Sequence, residues 1–267
     1  EPVLLEDSTA FDMIPNDYED LLFGGRNQEL DLINAPLAWT ISTGENVLVG
    51  ISDNKVDTDH EDLIGQVILF PNSPNYGSHG TGVASKIVAL TNNGKGVASL
   101  AHNSKVVSWN YQESHQGVLE LAKIPGIKVI NCSWVSCSYS EYWEEMYSYI
   151  SEELGVLVVA AAGNGPGGGS CDGGHGYTYP SSYHATMSVT GVGSKTDIGD
   201  GAFYNNQPAQ GTPPGNEWRY SWKDVHQFRP TTSETASFTH NDKVDVTAPG
   251  IHVTTASSDY EDYPSGY

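Results

Sequence analysis

Apolar positions along the chain fall into two alternating kinds of run. Continuous runs rich in β-branched residues recur at ENVLVGIS (45–52), KVVSW (105–109), IKVINCSW (127–134), GVLVVAAAG (155–163), MSVTGV (187–192) and KVDVTAPG (243–250). Several are apolar throughout instead of at every second position, as strands are when both faces of a parallel sheet are covered. Between them lie stretches of helical character: HGTGVASKIVAL (79–90), SHQGVLELAKI (114–124) with Ser114 as candidate N-cap, and the long, acidic, amphipathic EYWEEMYSYISEEL (141–154). This alternation predicts βαβ units in an α/β fold with a doubly wound, mostly parallel sheet. Sites in such sheets form at the carboxyl ends of the strands.

Two segments interrupt the rhythm. Residues 165–180, GPGGGSCDGGHGYTYP, form a glycine-rich loop without the lysine of a phosphate-binding loop. Residues 197–235, rich in Gly, Pro, Asn and Trp, read as a long surface insertion between two strands. Residues 1–30 are an acidic lead-in expected to pack or drape over the domain, which then occupies 31–267.

Composition narrows the class. The chain has 267 residues, enough for one α/β domain with a large core. With 38% hydrophobic residues and a mean hydropathy of −0.37, it reads as globular and water-soluble. No apolar run approaches the roughly 18 residues of a membrane span. The N-terminal EPVLLEDSTAFD lacks the charged-then-apolar order of a signal, so an exported form is expected to have lost its signal already. Twelve Lys and Arg face 33 Asp and Glu, a net charge of −21 that argues against nucleic acid and suits an extracellular protein. The three cysteines do not have zinc-motif spacing. Cys132 falls in an apolar run and reads as a buried thiol. Cys137 and Cys171 lie in turn-rich segments and are candidates for one disulfide, which spacing alone cannot establish.

Three polar residues stand at the ends of apolar runs. Asp53 follows ENVLVGIS, where a buried carboxylate needs a partner. It could accept from a histidine ring, cap a helix or bind a metal. His79 is flanked by Gly77, Gly80 and Gly82 and opens an apolar helix, a setting that suits a general base and that the other histidines lack. Asn164 ends GVLVVAAAGN, where its amide can either point a donor into the strand-end crevice or cap a turn.

In this order the three resemble the subtilisin-like serine proteases, the subtilase or peptidase S8 family, whose chain order is Asp, His, Ser. The matching segments run from about Leu32 to Gly250: LINAPLAW, VGISDNKVDTDHEDL, SHGTGVA, VINCSWV, VVAAAGN, YPSSYHATMSVTGV and ASFTHNDKVDVTAPG. The resemblance implies a three-layer architecture and a secreted endopeptidase with an Asp-His-Ser triad. Asp53 and His79 would be its acid–base pair and Asn164 its oxyanion donor. Peptide substrate would lie along Ser133, Trp134 and Val135 and the 109–111 strand, with a specificity pocket between SWVS and AAAGNG that includes Gly163 and that Trp134 narrows. It also implies a structural calcium held by Asp62, the Asn93 side chain and the carbonyls of Thr91, Lys95 and Val97, although TNNG equally makes an ordinary turn.

The chain departs from the pattern in three places. Asn54-Lys55 follow the aspartate, where the family has Ser, Thr or Asp and then Gly, and Lys55 is placed to lower the Asp53 pKa or compete for its charge. Gly82 replaces the second histidine of an HGTH motif. After Ala248-Pro249-Gly250, no serine stands in a GTS-like motif. Ser265 lacks such a setting and is expected to be a loop serine, and Ser257 and Ser258 are weaker still. The resemblance therefore places the nucleophile, and the C-terminal helices after it, beyond Tyr267. The expectation is a peptidase domain incomplete in this chain, inert alone and partnered by the remainder of the same protein. The alternatives are a non-catalytic binding or scaffold domain on the same fold, or an enzyme of another class on a similar frame.

Overall fold

The computed structural model describes residues 14–18, 29–30, 33–71, 78–109, 114–164, 171, 176–194, 222–223, 238–239, 241–250, 253–256 and 264–265. Most of the glycine-rich loop and nearly all of the 197–235 insertion lie outside these residues, as do Ser257 and Ser258.

The apolar runs become strands. In chain order the elements are α1 (Ala35–Trp39), β1 (Leu48–Ser52), β2 (Val67–Phe70), α2 (Ser78–Val88), β3 (Lys105–Trp109), α3 (His115–Ala122), β4 (Ile127–Cys132), α4 (Glu141–Glu152), β5 (Leu157–Ala161), β6 (Thr186–Ser194), β7 (Trp222–Lys223), β8 (Val246–Pro249), β9 (Val253–Thr254) and β10 (Pro264–Ser265). Strands β2-β3-β1-β4-β5-β6-β8 pair side by side, all parallel. Among the described residues only β7 joins this sheet antiparallel, at the far end of β6. The order reverses at β1, which sits between β3 and β4, so the crevice at its carboxyl end is a topological switch point.

Helices cover both faces and make three layers. Neighbouring residues of β3 show the division: Val106 packs with Val49, Ile51, Ala84 and Val88 against α2, whereas Val107 packs with Val118, Leu121, Tyr147 and Ile150 against α3 and α4. Successive strand residues point to opposite faces, so a run buried on both sides must be apolar at every position. Ser114 caps α3 by accepting from Gly117 N–H at 3.0 Å.

Strand β2 is absent from the expectations. It is four residues long, lies at the sheet edge and alternates half-buried with exposed residues, so QVILF lacks the continuous burial of the other strands. The lead-in touches the domain where it is described. Leu30 joins Ala35, Trp39 and Ala98 in a small cluster, and buried Glu29 pairs with Lys86 of α2 at 2.7 Å. Cys137 and Cys171 are disulfide-bonded, and Cys132 is a buried free thiol. The disulfide flanks a backbone bridge in which Ser136 and Tyr179 exchange hydrogen bonds of 2.7 and 2.8 Å.

Candidate active site

Strand register brings three chain segments to one edge of the sheet. Ser52 lies opposite Cys132, and Cys132 opposite Ala160. With adjacent strands about 4.8 Å apart, the residues just past β1, β4 and β5 share one crevice. These are Asp53, Ser133 to Val135, and Gly163 with Asn164.

Asp53 is fully buried. Its Oδ1 accepts from the Asn54 backbone N–H at 2.7 Å and lies 2.7 Å from His79 Nδ1. A carboxylate only accepts, so Nδ1 carries the proton and Nε2 is left as the basic nitrogen of the neutral ring. The His79 side chain is 52% exposed, so the pair joins a buried anion to a ring that reaches solvent. The other possibilities for Asp53, a helix cap or a metal ligand, give way to the histidine contact. No ion pair joins Lys55 to Asp53 among the described residues.

His79 stands on the first turn of α2, which fits tightly against the loop after β1. A Cβ on Gly80 would lie 2.0 Å from the Asn54 carbonyl oxygen, so only glycine permits this seat. Gly80 N–H donates to Asn54 Oδ1 at 3.1 Å, and buried Thr81 accepts from Asp57 N–H at 2.9 Å. Gly82 has a packing role: a Cβ there would meet the Thr255 side chain at 3.2–3.3 Å. Ser85 donates to the Gly82 carbonyl and accepts from Ala256 N–H, holding residues 255–256 along the helix.

Asn164 is exposed at the end of β5. The strand end before it is anchored: Ala162 N–H donates to Val189, Thr178 donates to the Ala162 carbonyl, and the Gly163 carbonyl accepts from Thr239 N–H. Gly163 has a φ of +107°, which favours glycine and turns the chain out of the strand. Ser133 accepts from Asn131 Nδ2 at 2.9 Å, and Val135 is half-buried. Trp134 rests against the main core cluster with its Nε1 buried, so the ring backs onto the core as well as bordering the crevice. Of the 109–111 segment only Trp109 is described. Ser265 lies in β10, paired antiparallel with Val253, in a strand and not in the loop expected for it.

A second polar residue near this edge was not singled out in the sequence. His115 stacks on Trp143, meets Trp134, Tyr147 and Tyr183 edge-on, and has Nδ1 2.9 Å from the Tyr147 hydroxyl. Burial among these rings holds its pKa down at about 4. The only available signal was the four aromatic residues, scattered between positions 134 and 183.

The residues assigned to calcium come together in part. Asp62 is fully buried and accepts from Val97 N–H and Asn93 Nδ2, each at 3.0 Å. Buried Asp17, from the lead-in, accepts from Asn93 N–H, and Lys95 turns outward to Glu61. Burial pushes the Asp62 pKa up to about 6, and the charge of Asp17 adds to the rise. Two buried carboxylates beside an amide suit a hard cation. Among the described residues no group of three or more His, Cys, Asp or Glu gathers, so most donors would be amide and backbone oxygens. Thr91 donates its hydroxyl to the Ala89 carbonyl, and Lys95 N–H donates to Asn93 Oδ1.

A doubly wound sheet with a buried aspartate bonded to a solvent-reaching histidine at its switch point is the class of site these elements define. The family follows from comparison: residues 44–267 match the Subtilase family, Peptidase_S8, and the chain belongs to it. It is 32% identical over 180 residues to fervidolysin of Fervidobacterium pennivorans, a match covering 58% of this chain and 25% of that protein. It is 27% identical to thermitase of Thermoactinomyces vulgaris, over 76% of this chain and 74% of thermitase. Subtilisin of Bacillus pumilus is 34% identical over 57% of this chain and 58% of its own length. The psychrophilic subtilisin-like protease Apa1 from Pseudoalteromonas sp. AS-11 superposes with a TM-score of 0.60 at 21% identity, covering 86% of this chain and 47% of that one. The prenylagaramide maturation protease PagA gives 0.57 at 21%, over 85% of this chain and 70% of that one. These two likenesses bear on the fold.

Proposed function

We propose that this chain supplies the acid–base half of a serine endopeptidase that cleaves peptide bonds. The observation that carries the proposal is the 2.7 Å contact between buried Asp53 and solvent-reaching His79 at the sheet's switch point. His79 Nε2 takes the proton of a serine hydroxyl as it attacks the scissile carbonyl, and returns it to the leaving amine. Asp53 keeps the ring in the required tautomer and stabilises the imidazolium. Asn164 donates to the oxyanion of the tetrahedral intermediate. The substrate backbone runs extended beside Ser133, Trp134 and Val135, with a side chain between that segment and Gly163.

This reading assigns the nucleophile to residues following Tyr267, and the partner of this chain is that portion of the same protein. It treats residues 31–267 as one peptidase domain with the 197–235 segment as an insertion. Secretion is supported by the Cys137–Cys171 disulfide and the charge of −21. No helix among the described residues is long and apolar enough to cross a membrane. Asp62, the Asn93 amide and the carbonyls of Thr91, Lys95 and Val97 would hold a calcium ion, whose charge would favour the ionised form of buried Asp62.

The test is labelling of the intact polypeptide with a serine-directed phosphonate. Labelling that is lost in His79→Ala supports the reading. An intact protein that binds peptide in this crevice yet never labels would make the chain a scaffold relative.

A further inference from the structure

We propose that Asn54 is the positioning residue of the Asp53–His79 pair, its backbone N–H orienting the carboxylate while its side chain holds the helix turn that carries the histidine. The inference rests on reading that pair as acid–base machinery, and it gives a role to a position where the chain departs from its family's pattern.

Asp53 Oδ1 accepts from both Asn54 N–H and His79, each at 2.7 Å. Oδ2 is buried and, among the described residues, has no hydrogen-bond partner. Apart from the histidine, the Asn54 N–H is therefore the hydrogen bond that fixes the carboxylate's rotation. The His79 ring is half in solvent, tied to Asp53 through Nδ1 and carried on the first turn of its helix.

That turn is also seated on residue 54. The first N–H groups of a helix have no partner within it. Here Gly80 N–H, one residue after the histidine, donates to Asn54 Oδ1 at 3.1 Å. The Asn54 and Lys55 carbonyl oxygens fill the space where a Gly80 Cβ would stand, 2.0 and 2.9 Å from it. One residue thus touches Asp53 through its N–H and, through its side-chain oxygen and carbonyl, the glycine that follows His79 on the helix turn. Ser, Thr and Asp, the usual residues here, share with Asn a side-chain oxygen able to accept a backbone N–H. The departure therefore keeps the acceptor.

The test needs no nucleophile. In the intact protein the His79 Nδ1 proton should give a far-downfield proton NMR signal that disappears in His79→Ala and in Asp53→Asn. Asn54→Ala keeps the backbone donor and removes the side-chain acceptor. Its downfield proton should exchange with solvent about fivefold faster, the factor corresponding to one lost cap. Asn54→Asp, which keeps an oxygen in place, should restore slow exchange. Should Asn54→Ala fail to give a native circular-dichroism spectrum, Asn54→Ser takes its place, with a shorter acceptor and an expected exchange rate between those of Asn and Ala. Exchange in Asn54→Ala equal to that of the parent overturns the proposal, as does Asn54→Asp exchanging as fast as Asn54→Ala. Failure of the intact protein to label with phosphonate, with these exchange rates ordered as expected, removes the protease reading and leaves the positioning role standing.

Discussion

Asp62 and His115 load the same pH range with opposite signs, and their two contributions to stability there should nearly cancel. Asp62 rises from an ordinary 3.8 to about 6 because it is buried. Between these values the folded chain holds a proton that the unfolded chain has lost, so stability falls as pH rises, by about 1.4 kcal/mol per pH unit. Over the whole shift this amounts to about 3 kcal/mol. His115 falls from 6.5 to about 4 because burial takes the imidazolium out of water. Between those values the unfolded chain holds the extra proton, so stability rises with pH at the same slope and to a similar total. From pH 4 to 6 the two contributions offset each other.

The perturbations are Asp62→Asn and His115→Phe, and the assay is urea unfolding at half-unit steps from pH 4 to 6.5 with a chelator present. Only slopes are compared, because each substitution also changes packing. Relative to the parent, Asp62→Asn should gain about 1.4 kcal/mol of stability per unit of rising pH, and His115→Phe should lose about as much. If calcium binds as proposed, its charge keeps Asp62 ionised. The parent in calcium should then follow the slope of Asp62→Asn in chelator. Parallel profiles for the parent and Asp62→Asn in chelator would refute the claim that burial keeps this carboxyl protonated.

Other outcomes follow from the same contacts. Asp53→Asn should cut the turnover of the intact protein by about 10⁴-fold, because an amide facing His79 no longer selects the Nδ1–H tautomer; a loss under tenfold would place the orienting group elsewhere. Asn164→Ala should lower kcat by roughly 10²–10³ with little change in KM, the signature of a donor used in the transition state. Replacing Cys137 and Cys171 by serine opens a link spanning 34 residues and should cost roughly 3–4 kcal/mol in denaturant unfolding. A cost below 1 kcal/mol would mean that the Ser136–Tyr179 bridge and neighbouring packing already fix this segment.

The fold was legible because its central strands are buried on both faces. Runs such as VVSW and VLVVAA leave no polar face to present to water, and only a covered parallel sheet accommodates several of them. Strand β2 escaped because it is only four residues long and one of its faces meets solvent, so it lacks the long covered run of the central strands. His115 escaped for a different reason. Its setting is built from Trp134, Trp143, Tyr147 and Tyr183, which are separated along the chain and meet only when α3, α4 and the turn after Pro180 pack on one face of the sheet. Asp17 reached the 91–97 loop from the lead-in, where nothing in DMIPNDYED distinguishes one aspartate from its neighbours.

The departures from the family pattern carry the most information about whether the site is intact. A decayed site would be expected to lose contacts at the altered positions, leaving donors unpaired or gaps beside the histidine helix. The structure has the opposite at both. Asn54 keeps an oxygen on Gly80 N–H and an N–H on Asp53. Gly82 gives up a side chain, and Thr255 occupies the space, tied in through Ser85 and Ala256. Lys55 adds a cation nearby, yet Asp53 is paired with His79 and not with it. Asn54 and Gly82 are each matched by a residue from a different part of the chain, Gly80 and Thr255, the latter held by the Ser85–Ala256 hydrogen bond across 171 positions. Such matching costs side-chain and loop freedom, and it supports the proposal that the Asp53–His79 geometry is used in catalysis.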